Sequence, residues 1–287
     1  MIRPICALLL LLLLPGLLAA EPLRVFVSVL PIQYFVEQVG GERVEVRTLV
    51  RPGHSPHHYD PSPQQIAGLA RAQLYLRTGV PFEDAWMARI RSTNPDMRMV
   101  DLRQGIQLFP APLADHDAEH HGEHDAFDPH IWTDPLRVQH MAGMIRDNLI
   151  DLDPQHGDEY RRNHDRFVAS LEHLDQAIGS LLEPFKGRKF LVFHPSWGYF
   201  AHRYGLIQVP IEHEGKEPGA RELGALIDQA RGEDIRVIFV QPQFDQRLAA
   251  QVARAINGRV IAVDPLALDY PDNLRRVAEQ FAGALQP

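Results

Sequence analysis

RVFVSVLPIQYFVEQVGG, residues 24–41, decides the fold class. Arg24 to Leu30 is a run of strand length rich in valine with Phe26 among it, as expected of a buried strand. Pro31 follows with a φ already suited to a first helical turn, and Gly40-Gly41 marks where that helix stops. A strand feeding directly into a helix is the unit from which parallel sheets are built. Working outward, short apolar strands recur near 44–50, 74–78 and 98–102, with helical stretches at 63–71 and 82–91. The same alternation returns late in the chain. KFLVFH (189–194), IRVIFVQ (235–241) and RVIAVD (259–264) read as buried strands, separated by helical stretches at 196–204, 220–231, 245–257 and 271–285.

Between the two alternating regions, Tyr160, Phe167, Leu171, Leu174, Ile178 and Leu181 recur at steps of three, four and seven after Asp153-Pro154. That spacing predicts one helix of about 30 residues, roughly 45 Å long. It is longer than one small lobe needs and reads as a span between lobes. The predicted class is therefore α/β, with two lobes carrying parallel-type sheets joined by one long linking helix. The expected limits are 21–152 for the first lobe, 153–184 for the helix and 185–287 for the second lobe.

Residues 1–20 carry a basic start at Arg3, an apolar run from Ala7 to Leu18 and small residues at Ala19 and Ala20. We read them as a signal peptide, and hence expect a periplasmic protein. The single cysteine, Cys6, precedes the apolar run instead of following it, so neither a lipid anchor nor a disulfide is expected. A net charge of −8 gives no basic footprint for nucleic acid and is compatible with cation attraction.

The fifteen histidines are unevenly placed. Three fall in 54–58, and the loop 115–128, DHDAEHHGEHDAFD, carries His116, His120, His121 and His124. Ligand-contacting groups in open α/β sheets gather beyond the carboxyl ends of strands. His57 follows the strand ending near Val50, His194 closes KFLVFH and Asp264 closes RVIAVD. His130 stands in DPHIWTDP, just before a helix starting near Pro135. Imidazoles suit Zn²⁺, and three of them with a carboxylate or water fill a tetrahedral shell. Taken singly, each reads as well as a hydrogen-bonded structural residue, and Asp264 before Pro265 as a turn starter. Trp132 and Tyr199 are candidate walls of a cleft or ordinary core residues.

The segments around these residues resemble the zinc and manganese solute-binding proteins of ABC importers, the ZnuA/TroA-like family. PGHSPHHYDPSP (52–63) is similar to that family's PG-x-x-P-H-x-Y-x-P-S-P motif, DPHIWTDP (128–135) to its DPH-x-W-x-DP, and VFHPSWGYFA (192–201) to its strand ending in FH. EPGARE (217–222) and VDPLALD (263–269) match later landmarks. The resemblance runs from about residue 24 to the C-terminus. It implies two α/β lobes on one long helix with metal held in the cleft by His57, His130, His194 and, in the carboxylate position, Asp264. His194 stands where manganese-type members tend to carry a carboxylate, which favours zinc. Pro56 departs from those zinc members with an acidic residue before the first ligand, leaving Asp264 or water as the fourth ligand. The loop histidines His116, His120, His121 and His124 are expected to be a secondary, weaker zinc collector.

The implied function is delivery of Zn²⁺ to an ABC transporter permease with a separate cytoplasmic ATPase, by a monomer that catalyses nothing. No glycine-lysine phosphate loop occurs, and no H-E-x-x-H helix. The rival readings are an exported zinc hydrolase, with Glu217 as its proposable base, and a periplasmic metal buffer or chaperone.

Overall fold

The computed structural model describes residues 21–110, 127–212 and 217–286. The signal-peptide reading, Cys6 and the loop histidines His116, His120, His121 and His124 all lie outside the described residues.

In the first lobe β1 (Leu23–Val27), β2 (Val44–Thr48), β3 (Leu74–Arg77) and β4 (Arg98–Asp101) form one parallel sheet in the order β2-β1-β3-β4. In the second, β5 (Lys189–Val192), β6 (Ile207–Pro210), β7 (Val237–Val240) and β8 (Arg259–Ala262) repeat that order as β6-β5-β7-β8, again all parallel. In both lobes the chain steps outward once and then returns past its starting strand. Such a reversal opens a crevice beyond the carboxyl ends of the central strands. The two lobes share topology although their sequences show no residue-level repeat.

Nine helices occur among the described residues. They are α1 (Leu30–Gly40), α2 (Pro63–Leu69), α3 (Pro81–Thr93), α4 (Pro135–Leu152), α5 (Gly157–Leu182), α6 (Gly198–Tyr204), α7 (Ala220–Gly232), α8 (Arg247–Ala255) and α9 (Tyr270–Leu285). Prolines occupy the first turns of α1, α2, α3, α4 and α9, where the missing N–H leaves no helical bond unmade. None is long and apolar enough to cross a membrane.

The 26 residues of α5 span about 39 Å, and short 3₁₀ turns at Pro154–His156 and Glu183–Phe185 flank it. Its buried row is Tyr160, Asn163, Phe167, Leu171, Leu174, Ile178 and Leu182. Leu181, expected in that row, is 39% exposed. Positions three and four beyond Ile178 both fall near the buried stripe, and packing turns Leu182 inward and Leu181 outward. Asn163 keeps its place in the row by donating to the Val39 carbonyl at 3.0 Å. Strand β6 was not foreseen. It is a four-residue edge strand with Ile207 44% exposed and a proline at its end, so it shows no buried apolar run.

One hydrophobic core runs through both lobes, and α5 is its spine. Phe35 of α1, Phe167 of α5 and Tyr270 of α9 meet there. Phe35 lies edge-on to Tyr270 at 4.8 Å and 5.8 Å from Phe167. A smaller core covers the other face of the second sheet, around Leu191, Ile238 and Val252.

Candidate metal centre

His57 sits in the turns between β2 and α2. Its backbone is pinned from the side by the first turn of α3, where Phe82 N–H donates to the Pro56 carbonyl at 3.1 Å. That turn is itself fixed by the fully buried Glu83 carboxylate, which accepts from Thr78 N, Gly79 N and Arg77 at 2.9 to 3.0 Å. Burial pushes the Glu83 carboxyl above the usual range despite these donors. Neighbouring His54 and His58 are exposed, so of the three histidines here His57 alone turns inward.

His130 precedes α4. The Asp128 carboxylate accepts both the His130 main-chain N–H, at 2.9 Å, and Nδ1 of its ring, at 2.6 Å. Asp128 and His130 are almost fully buried. His194 lies two residues past β5. Gln241, just past β7, clamps its main chain on both sides, accepting from His194 N at 3.3 Å and donating to its carbonyl at 2.6 Å. Glu212, just past β6, meets His194 Nδ1 at 3.2 Å and is 3% exposed. Phe244 stacks on the face of the His194 ring, 4.9 Å away.

The fold thus draws His57, His130 and His194 from three segments into one cluster whose ligand nitrogens all lie within 4.8 Å of one another. His57 Nε2 and His194 Nε2 are 2.9 Å apart. Nitrogens bound tetrahedrally to one Zn²⁺ at 2.0–2.1 Å lie about 3.3 Å apart, so a small spreading of these rings admits the ion. With Nδ1 of His130 and of His194 donating to carboxylates, Nε2 of each presents its lone pair inward. Burial is the first cause that pushes the His57 imidazole well below its ordinary range, with the neighbouring imidazoles adding to it. Burial likewise lowers His194, against the opposing pull of Glu212. Both rings are held in the neutral form a metal requires.

Asp264 does not join this group. It lines a cavity of about 270 Å³ between the lobes, with its Oδ1 accepting from Gln243 and from Leu266 N at 2.9 Å each. Glu217 is exposed. Trp132 and Tyr199 are fully buried and fasten the His130 segment to the second lobe. Trp132 Nε1 donates to the Pro265 carbonyl at 2.7 Å, and the Tyr199 hydroxyl to the Asp128 carbonyl at 2.9 Å. Sequence reasoning missed Glu212, Gln241 and the role of Asp128. Only Asp128 left a local trace, a carboxylate two residues before a histidine.

The family described as "Zinc-uptake complex component A periplasmic" matches residues 25–284. The chain belongs to that family. A crystal structure of ZnuA is similar to it with a TM-score of 0.86 and 40% identity, over 93% of this chain and 100% of that one. A ZnuA deletion mutant with zinc bound gives the same values. The high-affinity zinc uptake system protein ZnuA of Yersinia pestis is 26% identical over 306 residues, 94% of this chain and 95% of that protein. This zinc-uptake family is one of solute-binding components, and both lobes of the present chain fall within the match.

Proposed function

We propose that the protein captures Zn²⁺ in the periplasm and delivers it to the permease of an ABC importer driven by a separate ATPase. The observation that carries this reading is the meeting of three imidazoles, His130 and His194 buried and His57 half-buried, in the cleft between two lobes, two of them backed by carboxylates. Three nitrogen donors suit zinc better than hard Mn²⁺. His57, His130 and His194 are the proposed ligands. Asp264 or water takes the fourth position, and Asp264 contributes only by turning an oxygen out of its present setting beside Gln243. The proposed chain is exported by residues 1–20, works as a monomer that catalyses nothing, and divides at 152/153 and 184/185. His116, His120, His121 and His124 are its proposed weak collectors.

Competitive titration of purified, metal-free protein with Zn²⁺ and Mn²⁺, counting bound ions, tests the reading. One tight zinc ion preferred over manganese supports it. Equal affinity for both ions, or no tight ion, overturns it. A deletion strain that grows normally under zinc limitation favours a metal buffer over an importer.

A further inference from the structure

His130 is reached from the second lobe by a chain of contacts that ends on helix α6. Tyr199, the second residue of α6, is fully buried, and its hydroxyl serves two partners at once. It accepts from Phe109 N–H at 3.0 Å and donates to the Asp128 carbonyl at 2.9 Å. The Asp128 main chain is held again by its own N–H, which donates to the Phe109 carbonyl at 2.9 Å. The Tyr199 ring is fixed in turn. It stacks on Phe109 at 4.5 Å with planes 11° apart, and the Arg137 guanidinium lies over it at 4.6 Å. Gly198 completes the seat, since a Cβ there would stand 2.8 Å from Asp128 Oδ2. The Asp128 carboxylate therefore has its backbone set by a phenol and its outer oxygen set by a bare glycine, both from the second lobe.

We infer that Tyr199 is a positioning residue for zinc capture: its hydroxyl places Asp128 so that the Asp128 carboxylate aims the His130 imidazole at the ion. A packing role alone does not account for the arrangement. The ring makes its stack and its contact with Arg137 without the oxygen, whereas the oxygen links the Phe109 main chain to the residue that orients His130. Outer groups that hold a ligating histidine typically govern metal affinity by 10–100-fold. A group acting through that carboxylate has no effect of its own once the carboxylate is gone.

The inference rests on the three-histidine reading, and the experiment separates the two. Tyr199→Phe removes one oxygen and keeps the ring. In metal-free protein the His130 Nδ1 proton, bonded to Asp128, has its own downfield NMR resonance. Tyr199→Phe shifts or broadens that resonance and leaves the corresponding His194 signal in place. Zinc affinity falls about tenfold in Tyr199→Phe and 10–100-fold in Asp128→Asn, and the double variant binds no more weakly than Asp128→Asn alone. Should Tyr199→Phe fail to fold, Gly198→Ala displaces the same carboxylate from its other side and gives the same pattern. Losses that multiply in the double variant, or a His130 resonance that stays put, overturn the inference. A wrong ligand set shows itself differently, as His130→Ala binding zinc at full strength while the metal-free NMR result stands.

Discussion

Two of the three imidazoles are backed by a buried carboxylate, Asp128 behind His130 and Glu212 behind His194. His57 has no such acceptor among the hydrogen bonds of the described residues. Glu212→Gln keeps the size of the side chain and exchanges an acceptor oxygen for a donor, so it should weaken zinc by about 10–100-fold while leaving far-ultraviolet dichroism unchanged. His130→Ala should cost more, several kcal/mol, at roughly 1.4 kcal/mol per tenfold. Competition titrations against a chelator of known affinity check both. Acidity acts on the same rings. Free imidazole titrates near 6.5, and burial lowers His57 and His194 in the folded chain. Between those lowered values and about 6.5 the unfolded chain takes up protons that the folded chain refuses. Metal-free stability therefore falls as pH drops through that window and levels off below it. For the same reason these two rings oppose zinc only below about 6.5, so the acid limb of affinity lies under that value. Affinity already declining between pH 8 and 7 would contradict this.

At the level of elements, the strands and helices with unbroken apolar runs were readable in sequence because burial on both faces demands such runs. β6 was not readable, and Glu212 was lost with it. An edge strand has one solvated side, and the pairing of Glu212 with His194 exists only after β6 docks beside β5. The α5 row ends on Leu182 instead of Leu181 for a related reason: Leu181 and Leu182 are equivalent by composition, and only packing chooses between them. The three histidines were legible through their surrounding motifs, whereas the partners that orient them depend on the turn at Pro129 and on the pairing of β5 with β6 and β7. Leu171, fully buried mid-way along α5, tests the spine directly. Leu171→Ala should cost about 2–5 kcal/mol by urea denaturation, and a loss under 1 kcal/mol would mean α5 is not held as described. Removing residues 115–126 tests the loop. One tight zinc ion should remain, and any weaker additional binding should disappear. Loss of tight binding in a folded deletion variant would mean that the loop supplies a principal ligand.

Over the whole molecule, the segment around His130 is fastened across the cleft at Trp132 to Pro265, at Tyr270 to the Trp132 carbonyl and at Tyr199 to Asp128. With α5 bridging the lobes as a continuous helix, zinc binding has little hinge to work with. Small-angle scattering should show only a slight change in radius on zinc binding, and a large compaction would contradict the rigid spine.

The hydrophobic core that passes without interruption from β1 through α5 to α9 also governs how the molecule comes apart. Two lobes with separate cores melt as two events, but a shared core makes neither lobe a cooperative unit by itself. Calorimetry of the metal-free protein should show a single endotherm, with calorimetric and van't Hoff enthalpies in agreement. Zinc bound at one point of that unit raises the melting of all of it, by an amount that grows with the logarithm of free zinc. Heat resistance of the entire chain thereby becomes a gauge of how full the cleft is.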